Sequence, residues 1–499
     1  MRRPVVGMLI AVLAVTVLAV TVLAAPGSAA GSTQVYDSPD GDYEYQKMGG
    51  GSDGDPYRCE LRSLRSGAGT VFVQSALEGY PLREVVSLKG CAAETVVFPP
   101  TVRAVNDDAF ESCPNLKRAV YLGDRPDRYI PPAPGIEVLR LSAAAGWGEE
   151  GVLELRTCRA GAAAVSYFVL DGRAYVHGLA GGTDVSLPED DGEGHAFVRI
   201  CDEAFREGEG GNKLRTFEMG GSVGSVGVRS FYGCRELERV SLPGTRFDVR
   251  DEAFRGCSAL GAADLTGAET IGFEAFRDCH SLREISVPDT VRRLYGGAFY
   301  VCGSAEAAEV GANVSCLPER CFGYCRALSS VYFAGSVASV NDSCFINCSS
   351  LREVSLPDVA TVGRSSFSGC ERLESVRFGE PLTAVGAEAF KDCGALQELR
   401  FPPALEYVGG WATLHCGSLT DVYFEGNMPE TGEGAFGSSV RLHVGGAGGG
   451  ADRRPVAEVA ALAALCSAGI GFIMCRRRMS QARRRRPTEG PCVLRGTRE

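Results

Sequence analysis

Lysine is nearly absent: five residues, against 46 arginines among the 51 basic residues. Histidine is as scarce, also five, and none is spaced as a metal pair or set beside a candidate nucleophile. Positive charge does not dominate; the formal net charge is −11, which argues against a general nucleic-acid binder. No phosphate-binding loop occurs. Gly220-Gly-Ser-Val-Gly224 satisfies the G-x-S-x-G spacing, but that motif means catalysis only on a strand-to-helix elbow, and here it falls in a turn. The chain is not read as an enzyme, and no cofactor is expected. The 20 cysteines in 499 residues are too few for a fold held by disulfides alone. With 45% apolar and 23% charged residues, wholesale disorder is excluded.

Long apolar runs are confined to the two ends. Met1-Arg2-Arg3, an apolar stretch from Val5 to Ala25 and the small residues Ser28-Ala29-Ala30 predict a secretory signal over 1–30, cleaved after Ala30; a retained anchor competes with it. Near the other end, 456–475 has the length and apolarity of one transmembrane helix. It stops at Arg476-Arg477-Arg478, and Arg483 to Arg486 follow. Basic residues crowd the cytoplasmic flank of a span, so 476–499, net +7, is predicted to be a cytoplasmic tail. Residues 31–475 carry −20. These features together predict a single-pass type I protein of the cell membrane, its acidic part extracellular.

What fills the exterior is a repeat. Cys234, Cys257, Cys279, Cys302, Cys325, Cys348, Cys370, Cys393 and Cys416 follow one another at 22 or 23 residues. Three positions before each lies Phe231, Phe254, Phe276, Phe299, Phe322, Phe345, Phe367 or Phe390, and Thr413 in the last copy. Three positions after each lies a leucine, except Ala305. Apolar pairs such as Ile285/Val287 and Val354/Leu356 alternate with polar residues, as in a short strand with one face inward. Proline often follows, ending the strand. One such unit cannot offset the entropy of ordering itself, so the copies must stack.

The passage from Glu274 through Ala275-Phe276, Cys279 and Leu282 to Ile285-Ser-Val-Pro288 resembles the BspA-like leucine-rich repeat family. The resemblance covers 222–444 well. It implies an α/β repeat: a leucine-rich-repeat solenoid with one short strand per coil, displayed on a surface to bind proteins or host matrix. Weaker copies occur at 95–122, with Phe110, Cys113 and Leu116, and at Asp202-Glu-Ala-Phe205, where a Gly-rich insertion, Gly208 to Gly211, replaces the cysteine. The expected organisation is a signal peptide at 1–30, a disordered Gly/Asp/Ser-rich segment at 31–55, degenerate repeats at 56–130 and an irregular insert at 131–190. The array follows at 191–444, a Gly-rich stalk at 445–455, then the span and tail.

Candidate site residues come from the repeat register. The ladder cysteines point in parallel, whereas a disulfide needs convergent side chains, so small buried thiols bonded to turn carbonyls are expected. Cys321 and Cys344 share an extra position on adjacent coils; if one disulfide forms here, it joins them. With Cys325 and Cys348 they make two C-x3-C pairs, but no histidine completes a zinc site. Acid pairs such as Asp107-Asp108 and Asp251-Glu252 read as solvated turn residues. The outward strand positions, five and seven residues after each cysteine, vary while the core does not. They are Arg239, Asp264, Glu284, Glu309, Tyr332, Glu353, Arg377, Glu398, Arg400, Asp421 and Tyr423. This face is either a solvated sheet or a recognition surface anchored by Tyr and Arg. Asn313, Asn341 and Asn347 head glycosylation sequons. The function expected is macromolecule binding or adhesion; a self-associating surface coat is the competing reading.

Overall fold

The computed structural model describes residues 35–37, 42–49, 57–66, 69–111, 113–129, 132, 135–148, 150–206, 213–244 and 246–445. The coil ending at Cys302 shows how each repeat folds. Leu282 enters the core, and Glu284–Val287 then runs as a strand whose Ile285 and Val287 face inward while Glu284 and Ser286 face solvent. A turn at Pro288 lets the buried Val291 return, and Arg293–Leu294 forms a second, two-residue strand. A compact turn carries Ala298 and Phe299 into the core before Cys302.

Stacking builds two parallel rows of strands. One runs from Asp184–Ser186 to Arg441–Val444 in broken sheets, in register at Glu398, Asp421 and Arg441. The other runs from Phe197–Ile200 to Glu430–Thr431. The coil therefore has two strands, not the one expected. Most strands of the second row have two residues, too few to show alternation in the sequence; only the inward aliphatic, such as Val340 or Val385, marks them.

The α/β expectation is also corrected: the described residues contain no α-helix, only a 3-10 turn at Asp107–Phe110. Two left-handed residues flank each Ala-Phe step, for example Glu274 (φ 51°) and Asp278 (φ 62°), and leave no room for a helical turn. Even the β-branched Val301 is held at φ 64°, a conformation tolerated because the stacked coils over-determine it.

The side chains between the rows form one continuous core. Its centre is a column of nine phenylalanine rings, Phe205 through Phe390, with successive centroids 4.8–5.9 Å apart and planes within 14° of parallel. The column ends at Thr413, whose hydroxyl donates to the Ala435 carbonyl at 2.9 Å.

Before the array, Thr70–Phe72, Thr95–Phe98, Arg118–Tyr121, Glu137–Leu141 and Gly151–Leu153 form a parallel sheet of degenerate coils with their own core. Val35–Asp37 and Tyr43–Gly49 pair antiparallel with each other, and the second continues onto Tyr57–Ser66. The segment expected to be disordered thus contains two strands, because Tyr43 and Tyr45 alternate into the core despite the Gly/Asp/Ser-rich surroundings. Within the insert, Arg156–Ala160, Ala163–Leu170 and Arg173–Gly181 make an antiparallel meander, on whose last strand Phe197–Ile200 stacks in parallel. Phe168, Leu170 and Tyr175 join Val97, Val120 and Leu141 in a third core that links the two solenoid segments. No described helix is long and apolar enough to cross a membrane. The signal at 1–30, the stalk beyond Gly445, the span at 456–475 and the tail at 476–499 lie outside the described residues.

Candidate functional site

Each ladder thiol occupies the same station. Sγ of Cys234 donates to the Phe205 carbonyl, that of Cys257 to Phe231, and so on to Cys416 and Phe390, at 3.0–3.3 Å. The thiol of one coil therefore satisfies a turn carbonyl of the coil before it. Cys113 does the same toward the Leu88 carbonyl at 3.4 Å, carrying the pattern into the degenerate coils. Burial pushes the Cys416 thiol up to about 11 and those of Cys279 and Cys370 further, so the reactive thiolate is suppressed. Cys321 and Cys344 are fully buried and stand as separate thiols. We expect the ladder cysteines to react with a thiol reagent only after denaturation. Peptide mapping of the denatured, unreduced protein checks this; most ladder cysteines found already paired would refute it.

The outward strand positions divide into two groups. Arg239, Asp264, Glu284, Glu309, Glu353 and Arg377 are exposed and spread along the face. Tyr332 stands 63% exposed, beside Glu309 on the neighbouring strand. At the C-terminal end the side chains converge. Glu398 holds Arg400 at 3.0 Å, Arg400 lies 4.0 Å over the Tyr423 ring, and Tyr423 stacks on His443 at 4.4 Å. Asp421 accepts two hydrogen bonds from Arg441 and one from His443, which with Thr420 hold its carboxyl well below the usual carboxylate range. Arg441 and His443 were not foreseen: their strand follows Asp421 by 20 residues, off the 22–23 step, and no cysteine marks it. The arrangement offers stacked aromatic surface and fixed guanidinium forks, which is recognition chemistry. Among the described residues the one group of potential metal ligands is Asp191, Glu193 and His195. The Asp191 carboxylate there is already engaged by His195, Tyr167 and two backbone N–H groups of its own turn.

Residues 85–122 and the overlapping stretches 195–305, 265–361 and 352–444 match the model of the BspA type leucine rich repeat region, in six copies. The chain belongs to this family. Among solved structures, this BspA-type chain is similar to a leucine-rich repeat protein from Bacteroides ovatus, at 20% identity over 56% of this chain and 98% of that one, TM-score 0.34. It is also similar to a leucine rich repeat protein of T. pallidum, at 24% over 42% and 88%, TM-score 0.34. A third is a leucine rich cell surface protein from Faecalibacterium prausnitzii, at 16% over 83% and 96%, TM-score 0.28. No curated protein matches the chain.

On the turn side of the BspA-type array, the expectation for the acid pair Asp251-Glu252 fails. Glu252 is fully buried and accepts from Arg229 and Arg255, each at 2.9 Å; Arg255 continues to Glu274, and Glu274 to Arg277. Asp251 accepts the Phe273 N–H at 2.9 Å over Gly272, where a Cβ would come within 2.7 Å of it. Burial pushes the Asp251 carboxyl up to about 7. These acids are structural ties between coils, not solvated turn residues. Arg229 also donates to the Gly79 carbonyl at 2.9 Å, tying the array to the N-terminal segment.

Proposed function

We propose that the array is a non-enzymatic binding scaffold presented on the cell surface, and that the C-terminal end of its strand face docks a protein or matrix ligand. The signal at 1–30, the span at 456–475 and the basic tail support single-pass type I anchoring with the repeats outside. The observation that carries the docking reading is the stack of Arg400, Tyr423 and His443, ordered by Glu398 and Asp421, with Arg400 and His443 exposed and the Tyr423 ring half-buried between them. Pre-ordered Arg and Tyr at a surface bind at low entropic cost, and such residues dominate interface energetics.

The test uses the exterior, 31–445, as a soluble protein against immobilised matrix proteins and against itself, with an antibody to the repeats on intact cells as the topology arm. Tyr423→Ala and Arg400→Ala are expected to weaken capture of the matrix ligand by about tenfold or more, the loss seen at interface hot spots. Glu284→Ala, far along the face, is expected to change it little. Equal loss in all three, or intact cells that bind no antibody to the repeats, refutes the reading. The second reading, a self-associating coat, is favoured by the last strand, Arg441–Val444. Its Leu442 and Val444 lie 42% and 49% exposed, on a strand that follows Asp421–Phe424 in the sheet and has no partner beyond it among the described residues. Concentration-dependent sedimentation of the same protein, with no matrix capture, would select that reading.

A further inference from the structure

Where the N-terminal segment closes on the turn side of the array it leaves a cleft of about 780 Å³, within the ~300–1,000 Å³ range of small-ligand sites. Five arginines line it: Arg83 and Arg103 from the N-terminal coils, and Arg206, Arg229 and Arg255 from the array. The carboxylates among the lining residues are Glu203 and Glu252, so the described lining has an excess of three positive charges in a chain of net −11. Glu252 engages Arg229 and Arg255, and Glu203 lies 3.2 Å from Arg206. Arg103 is exposed and has no side-chain partner among the described residues. Three guanidinium groups, of Arg206, Arg229 and Arg255, gather 5.5–5.9 Å from the Tyr232 ring centroid, which fixes their forks around one aromatic floor.

We propose that this cleft binds a small ligand bearing oxyanion groups, a carboxylate, sulfate ester or phosphate, of saccharide size. Guanidinium forks match the planar and tetrahedral oxyanions in pairs of hydrogen bonds, and several forks held in one cleft favour a ligand with more than one such group. The acidic exterior selects for size. A long polyanion meets net repulsion over the surrounding surface, whereas a small ligand inside the cleft lies within the ~8 Å screening length of its arginines. This site is separate from the strand face, so it stands whether or not that face binds protein.

Calorimetric titration of the exterior, 31–445, with a sulfated heparin disaccharide, with glucuronate and with inorganic phosphate tests it and separates the sources. Binding of at least one probe at millimolar concentration or tighter is expected, weakening as salt rises. Arg103→Glu is expected to weaken it tenfold or more with an unchanged thermal melt. The distant Arg352→Glu, also an arginine reversal, should leave it within twofold. Arg206→Gln supplies a second cleft variant should Arg103→Glu fold poorly. No binding by any probe, or equal weakening by Arg103→Glu and Arg352→Glu, overturns the proposal.

Discussion

Replacing Phe276 by alanine is expected to destabilise the array by about 3–5 kcal/mol, the range for truncating a large buried aromatic. The ring is fully buried and stacks on Phe254 at 5.0 Å and on Phe299 at 5.4 Å. Its removal opens a void that neither neighbour can fill, because each is already held by the next ring in the column and by a backbone bond, from the Phe254 N–H to the Ala275 carbonyl and from the Phe299 N–H to the Cys321 carbonyl. In a linear array a coil touches only its neighbours, so the damage should spread outward from this coil before it reaches the ends. Hydrogen exchange on the exterior is the measurement. Amides in the coils of Phe254 and Phe299 should lose protection first, while those around Phe390 and Thr95–Phe98 keep theirs. Unchanged protection beside the mutated coil would contradict the stacking account.

The column, the thiol ladder and the outward face were legible because each depends on one residue type recurring at one step. Cys279 announces Phe276, Leu282 and Ile285 by arithmetic alone, and their burial follows from the alternation. Other features have no such carrier. Most strands of the second row are only two residues long, so the pairing of Ser339-Val340 with Thr361-Val362 comes from stacking and not from a local pattern. Tyr43 and Tyr45 were lost among glycines and acids because composition averages out two well-placed rings. The strand Arg441–Val444, which completes the Asp421 and Tyr423 cluster, departs from the repeat step. Glu252 looked like a solvated turn acid because the groups that bury it come from elsewhere. Arg229 lies one coil back, and the segment around Gly79 lies 150 residues from Arg229.

That burial makes Glu252→Gln the second substitution with a large expected effect, again about 3–5 kcal/mol, the cost of removing one partner from a buried ion pair. Glutamine keeps the shape and suits the left-handed backbone (φ 53°) no worse than glutamate does, so the change isolates the charge. Arg229, whose side chain is only 13% exposed, would keep its positive charge without the carboxylate that offsets its desolvation. The loss should not stay within the coil. Arg229 also donates to the Gly79 carbonyl, so the hairpin of Ala76–Leu77 and Tyr80–Cys91 should loosen from the array and become sensitive to limited proteolysis. Two controls separate charge from shape. Arg229→Met with Glu252→Leu removes both charges and should recover much of the stability, since well-packed apolar pairs can replace buried ions. Glu374→Gln breaks the exposed pair with Arg352 and should change the melt little, as exposed pairs contribute little. If Glu252→Gln melts like the parent, or if the double replacement is as damaged as the single one, the buried carboxylate is not what ties the N-terminal segment to the array.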